Sequence, residues 1–233
     1  MDLIWQGILD ACRLLVTGDR EVLQVVLRTM QVSGLATLIS VVLGVPAGAC
    51  LGLRNFPGRR LVLSVVNASM GLPPVVVGLW VTILLWRSGP FGYLNILYTP
   101  AAMVIAQALI ASPVVMGLTA AALQQTDPKL RLQIRALGAT RLQYLWFLLR
   151  EIRFSLLAAV IAGFGAVVSE VGASMMVGGN IKGSTRVLTT ATVLEVSKGN
   201  FDTAIALSII LSLLAYAVTV GLTLMQQRQQ GRG

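Results

Sequence analysis

The chain has 233 residues, of which 56% are hydrophobic and 12% charged, with a formal net charge of +9 and no histidine. A soluble domain carries about 25% charged residues, so the composition argues against a soluble protein with unusually apolar helices and for a chain whose solvent is lipid. The missing histidines remove the commonest general base and metal ligand, and Cys12 and Cys50 sit in different segments, which indicates neither a disulfide framework nor a metal site.

The opening residues, MDLIWQGILD, lack a basic leader, and Asp10 and Arg13 interrupt their apolar run. The expectation is therefore no cleaved signal peptide. Residues 3–17 read as an amphipathic helix at a membrane surface, within an N-terminal unit of residues 1–21. An imperfect sixth span is the alternative. Residues 22–228 form the membrane domain, with a tail at 229–233.

Residues 29–53, 61–86, 88–126 and 203–227 contain no Asp, Glu, Lys or Arg, and each exceeds the ~20 residues needed to cross a bilayer as a helix. A fifth stretch, 154–181, is broken only by Glu170. In the first span Gly44, Gly48 and Gly52 recur every four residues, a spacing that permits close helix contact within the chain or against a second copy. In the second, Pro73 and Pro74 remove backbone donors and disfavour a straight helix. The break they imply either lines a cavity or is a plain packing kink.

Between the third and fourth spans, within a loop at 124–153, the run RLQIRALGATRLQYLWFLLREIR carries five of the eighteen basic residues, with Lys129 just before it. Thr126 or Asp127 can cap a helix whose first turn holds Pro128, and Gly138 can end it in a left-handed conformation. Leu130, Ile134 and Leu137 are expected to share one face, Arg131 and Arg135 another. Thr140 can cap a second helix from Arg141. The expected element is helix, glycine corner, helix. A basic anchor on anionic headgroups is the blander reading, but it needs neither the corner nor an apolar face.

In the fourth span Glu170 lies ~24 Å along the helix from Phe154 at 1.5 Å per residue, toward the far half of the membrane. A carboxylate there is expected to pair with Arg87, Arg186 or Lys182, or to accept backbone hydrogen bonds. Met175 and Met176 read as core or gate filler.

Alternating five spans places Arg54, Arg59, Arg60, Lys129, Arg131, Arg135, Arg141, Arg150, Arg153, Arg228 and Arg232 on one side, eleven against seven on the other. The richer side should be cytoplasmic, which puts the N-terminus outside, the C-terminus inside and the glycine corner in the cytoplasm. There is no nucleotide-binding loop of the Gly-rich, Lys-Ser/Thr type and no persuasive catalytic constellation, so no catalytic residue is assigned. A membrane enzyme is therefore disfavoured. The basic charges fall on loops between spans, which argues against nucleic acid as a partner.

The stretch ALGATRLQYLWFLLREIR resembles the cytoplasmic coupling loop of the membrane subunits of ATP-binding-cassette importers. Gly138 occupies the glycine position of the pattern, followed by Ala139 and an apolar run from Tyr144 to Leu149. Leu132, Gln133 and Ile134 stand where the family has Glu-Ala-Ala, and Arg150-Glu151 where it has Leu-Pro. The stretch SEVGASMMVGGNIKGSTRVLTT resembles permeases for tungstate and molybdate through Glu170, Gly172, Ala173, Gly179, Asn180 and Ile181, and is closer to the tungstate branch. GLPPVVVGL, residues 71–79, resembles the second core span of the same family.

The resemblance implies a type I importer permease fold: about five transmembrane helices, an N-terminal interfacial helix and a cytoplasmic coupling helix. It implies a homodimer in the cytoplasmic membrane of a bacterium or archaeon, two copies of a separate cytoplasmic ATPase subunit that hold ATP and Mg, and an extracytoplasmic oxyanion-binding protein. No cofactor or metal is expected on this chain. Leu130, Arg131, Ile134, Arg135, Ala136, Leu137, Gly138 and Ala139 become the candidate coupling residues. Pro73, Pro74, Ser169, Glu170, Gly172, Ser174, Gly178, Gly179 and Asn180 become pathway or gate candidates. Ser184, Thr185, Thr189 and Thr190 add hydroxyls that could carry a tetrahedral dianion without a fixed charge to trap it. Lys182 and Arg186 could attract the anion, meet the binding protein, or simply be solvated loop charges. Sulfate is an alternative cargo. A passive channel would not need the coupling loop.

Overall fold

The computed structural model describes residues 19–230 together with Trp5, Gly7, Leu9 and Ala11. The expected interfacial helix at 1–21 lies mostly outside the described residues, as does the end of the expected tail at 229–233. Ten α-helices and one 3-10 turn follow one another between Arg20 and Gln230.

Three helices are long and apolar enough to cross a membrane unbroken: α1 (Arg20–Leu53), α4 (Pro100–Gln124) and α10, which runs Phe201–Gln230. Asp19 starts α1 by accepting the backbone N–H of Glu21 at 2.8 Å and of Val22 at 3.1 Å, which satisfies two of the donors that a helix start leaves free. Pro100 occupies the first turn of α4, where a missing N–H costs nothing.

The other two expected spans are bent. Residues 61–86 do not form one rod: α2 (Arg59–Met70) and α3 (Pro74–Leu85) meet at 102° across Gly71, Leu72 and Pro73. Pro73 flanks α3 and Pro74 opens it, so neither proline interrupts a hydrogen-bonded turn. Likewise α6 (Arg141–Glu151) and α7 (Arg153–Val168) meet at 70° at Ile152. The expected span 154–181 stops at Val168 and gives way to a short α8 (Gly172–Gly178) and then α9 (Leu188–Ser197). The bundle thus has three unbroken candidate spans, or up to five if each bent pair counts as one.

The long stack of the bundle is α1 against α4, with Gly44, Gly48 and Gly52 at the seam. A Cβ on Gly44 would lie 2.9 Å from Val115 Cβ, and one on Gly52 2.9 Å from Leu123 Cβ, while one on Gly48 would strike the Met116 carbonyl oxygen. The close contact allowed by the glycine spacing is therefore made inside the chain. Val32 and Ala36 of α1, Val81 and Leu85 of α3, Met103 and Ala106 of α4, Val167 of α7, and Ala173 and Val177 of α8 close the main core.

The outward face of α1 carries Leu35, Leu38, Val42 and Leu43, and that of α10 carries Leu213, Val220 and Leu224, all exposed. Exposed branched aliphatics at membrane depth suit acyl chains. One side of α7 differs: its exposed Ser155, Ala158 and Gly165, with Ser169 at the C-cap, are small.

Candidate functional site

The glycine corner forms as the sequence anticipates, with one reversal. Asp127 accepts the Lys129 N–H at 2.8 Å and Pro128 fills the first turn of α5 (Pro128–Ala136). Gly138 has φ +75°, and no atom lies within 4 Å of where its Cβ would be. Glycine is thus favoured by backbone conformation and not by crowding. Thr140 and Gln143 then form a reciprocal capping box that starts α6.

Leu130 and Ile134 pack inward on Ala49, Leu123, Leu148 and Ile152. Leu137 does not join them and is 87% exposed. The Leu137 N–H still donates to the Gln133 carbonyl at 3.0 Å and so keeps its place on the last turn, but the core beneath this face stops at Ile134 and does not include Leu137. Leu132, Leu137 and Leu142 instead present bare aliphatic side chains at the tip of the corner, Leu142 at 81% exposure.

The basic residues divide by task. Arg131 turns back to donate to the Leu123 carbonyl at the end of α4, and Arg59 donates to the Leu51 carbonyl at the end of α1 at 2.7 Å. Arg59 thereby satisfies a carbonyl of the last turn of α1, Arg131 adds a second donor to one that also accepts the Thr126 N–H at 3.3 Å, and each places positive charge at the negative end of the dipole. Arg135 stays exposed, its guanidinium 4.9 Å from the Tyr144 ring centroid.

The two motifs singled out in separate spans meet in space. The break at Pro73-Pro74 opens α3, and the break at Glu170 opens α8. A Cβ on Gly78 of α3 would come within 2.6 Å of Ala173 Cα, and Val75 closes on Gly172. Glu170 is buried at 6% exposure. It has no ion pair with Arg87, Arg186 or Lys182 among the described residues. Its carboxylate accepts the Ala173 N–H at 2.7 Å, starting α8, while its carbonyl accepts the Thr189 hydroxyl at 3.0 Å. The backbone alternative of the sequence reading is the one realised.

A buried polar chain backs this junction. Ser33 donates to Gln107 Oε1 at 3.4 Å, and Gln107 Nε2 donates to Ser174 Oγ at 3.1 Å, tying α1, α4 and α8. Thr29 accepts the Leu188 N–H at 2.9 Å and so fixes the start of α9 to α1. Ser174, Thr185, Thr189 and Thr190 are buried and bonded within the chain, whereas Ser169 is exposed just past the end of α7. Gly178 packs against Met103. Gly179 and Asn180 turn the chain with φ of +68° and +50°.

At the other end of α1, Lys182 donates to Glu21 at 2.6 Å and Arg186 lies 3.6 Å from the same carboxylate. With Arg20 and Arg28 they line a cleft of about 600 Å³ that holds four cations and one carboxylate. Nearby, hydrogen bonds from the side chains of Lys198 and Asn200 hold the Glu195 carboxyl below its ordinary range.

Sequence reasoning missed Gln107, an uncharged amide inside a charge-free run, and the capping role of Arg59 and Arg131. Each arginine lies eight residues beyond the carbonyl it caps, a spacing that was visible in the sequence.

Residues 44–231 match the family described as binding-protein-dependent transport system inner membrane component. The chain is 38% identical over 227 residues to the tungstate uptake system permease protein of Peptoclostridium acidaminophilum, covering 97% of this chain and 100% of that one. It is 39% identical over 209 residues to a probable anion ABC transporter permease protein of Haloferax volcanii, covering 88% and 90%. The fold matches a crystal structure of an amino acid ABC transporter with histidines at a TM-score of 0.62 and 18% identity, over 94% of this chain and 97% of that one. The all-helical bundle, its broken spans and its glycine corner thus sit on a chain matched along nearly its full length, and the protein belongs to the inner membrane components of binding-protein-dependent transport systems, the permease subunits of ATP-binding-cassette importers.

Proposed function

We propose that two copies of this chain form the pathway by which tungstate, or the related dianion molybdate, crosses the cytoplasmic membrane after delivery by an extracytoplasmic binding protein. The N-terminus lies outside and the C-terminus inside. ATP is split on two copies of a separate cytoplasmic subunit that dock at the corner around Gly138. Residues 22–228 act as the permease domain, 124–153 as its coupling loop, and the ends as an interfacial helix and a tail.

The observation that carries this reading is the corner itself: a rigid, doubly capped helix pair whose tip exposes Leu132, Leu137 and Leu142. Exposed aliphatics of this size on a polar loop suit a protein partner. Leu130, Ile134 and Arg131 then act as the shaft that ties the tip to α4 and α1, and Arg135, Ala136, Gly138 and Ala139 shape it. A passive channel has no use for such an element.

The homodimer is supported by the small and polar exposed face of α7, which suits lipid poorly. A dianion cannot be dehydrated in hydrocarbon, so the route is a polar cavity completed between copies. In the conformation described here the hydroxyls at the Glu170 junction are engaged internally. Pro73, Pro74, Glu170, Gly172, Ser174, Gly178, Gly179 and Asn180 therefore act as the gate hinge, and Ser169 faces the route. Lys182 and Arg186 act at the outer mouth, held ready by Glu21.

The cargo is supported by the relatives, which include a tungstate uptake permease and a probable anion permease. Accumulation of tungstate and molybdate, offered in competition to cells lacking this chain, tests it. Loss of tungstate uptake, restored by the chain, is expected. Unchanged accumulation of both would remove the assignment, and a loss confined to sulfate would replace it.

A further inference from the structure

At the corner end of α1 a cleft of about 550 Å³ runs between that helix and α6, within the roughly 300–1,000 Å³ of small-ligand sites. Its lining combines aliphatic Pro46, Leu53 and Leu145 with Arg54, Arg135 and Arg141. None of these three arginines forms an ion pair with a described carboxylate. Above the cleft, Leu35, Leu38 and Val42 continue the exposed face of α1 in steps of three and four residues toward Pro46 and Cys50. An apolar stripe at membrane depth thus leads directly into a ring of guanidinium groups at the membrane edge.

We infer that this cleft is a site for one anionic phospholipid, whose phosphate is held by Arg54, Arg135 and Arg141 and whose acyl chains lie along the Leu35–Val42 face of α1. Guanidinium groups suit a phosphate diester because they donate paired hydrogen bonds to its oxygens, and basic pockets between spans on the cytoplasmic side select anionic headgroups. The lipid would bridge the end of α1 to both arms of the corner, since Arg135 belongs to α5 and Arg141 to α6. It would therefore set how freely the corner moves relative to the bundle. This rests on the orientation proposed above.

Cys50 lies in the wall of the cleft and is exposed, which supplies a reporter in the unaltered chain. The full chain is reconstituted in vesicles of phosphatidylglycerol or of phosphatidylcholine, and its alkylation by a small uncharged maleimide is timed at Cys50 by peptide mapping. The Arg54→Gln/Arg141→Gln double variant is run in the same vesicles, so that a general effect of surface charge cancels. The site predicts slower labelling in phosphatidylglycerol, with about fivefold of protection lost per arginine removed. Lipid extracted from the purified chains should show phosphatidylglycerol retained by the parent and lost by the double variant.

Equal protection of parent and variant would overturn the site. Protection by inorganic phosphate in phosphatidylcholine vesicles would overturn the lipid in favour of a free anion. Protection only when the ATPase subunit is added would make the cleft part of that interface instead. Labelling of Cys50 by an impermeant reagent from outside intact cells would sink the orientation, and leaves the protection ratio readable by itself.

Discussion

Gln107 and Ser174, 67 residues apart in the chain, are joined in the interior by a 3.1 Å hydrogen bond from the amide of α4 to the hydroxyl of α8. The same amide accepts from Ser33 of α1, so one side chain fixes the position of α8 against both long helices. Replacing Gln107 by Leu leaves two buried hydroxyls short of this partner. The expected loss lies between about 0.6 kcal/mol, the average for interhelical bonds in membranes, and about 3 kcal/mol for a stranded buried group. Unfolding of the purified chain in mixed micelles measures it, and a shift no larger than that of a surface control would count against the role of the clamp.

The seam between α1 and α4 offers a contrast within one helix. Gly48→Val must push against the Met116 carbonyl, which is backbone and cannot step aside, so a loss of about 1–3 kcal/mol is expected. Gly34 meets nothing within 4 Å of its Cβ position. Gly34→Ala should therefore be neutral, or stabilising by up to about 1 kcal/mol. Thermal unfolding of the two variants side by side separates packing from helix propensity.

Gly138 is held at φ +75° in open space. A β-branched residue there costs about 1–2 kcal/mol in the left-handed region, whereas asparagine tolerates that region. Gly138→Val is therefore expected to insert in the membrane but lose co-purification with the ATPase subunit, and Gly138→Asn to retain it. Equal loss in both would point to side-chain bulk at the interface and away from the bend.

How much of this was legible depends on whether a residue's role is local. Asp127, Pro128, Gly138 and Thr140 act through their own backbone neighbourhood, and their positions are as the sequence implies. Pro73 and Pro74 announce a break, but neither its 102° angle nor the close approach of α3 to α8 at Gly78 and Ala173. Leu137 was misplaced because periodicity gives the face of a helix but not how far along it the core extends, and here the core stops at Ile134. For Glu170 the sequence left open a countercharge or backbone donors, and the choice falls to a backbone N–H three residues on. Gln107 carries no charge and no local signature. Only the tertiary approach of α1 and α8 gives it partners.

The most direct test concerns the side on which the corner lies and what covers it. In a chain whose own Cys12 and Cys50 are replaced by serine, Leu137→Cys places a single thiol at the exposed tip. A membrane-impermeant maleimide should label it in inverted vesicles and not in intact cells, and the purified ATPase subunit should block that labelling. Labelling from outside intact cells, or full reactivity with the ATPase bound, would contradict a corner that receives the stroke of ATP hydrolysis.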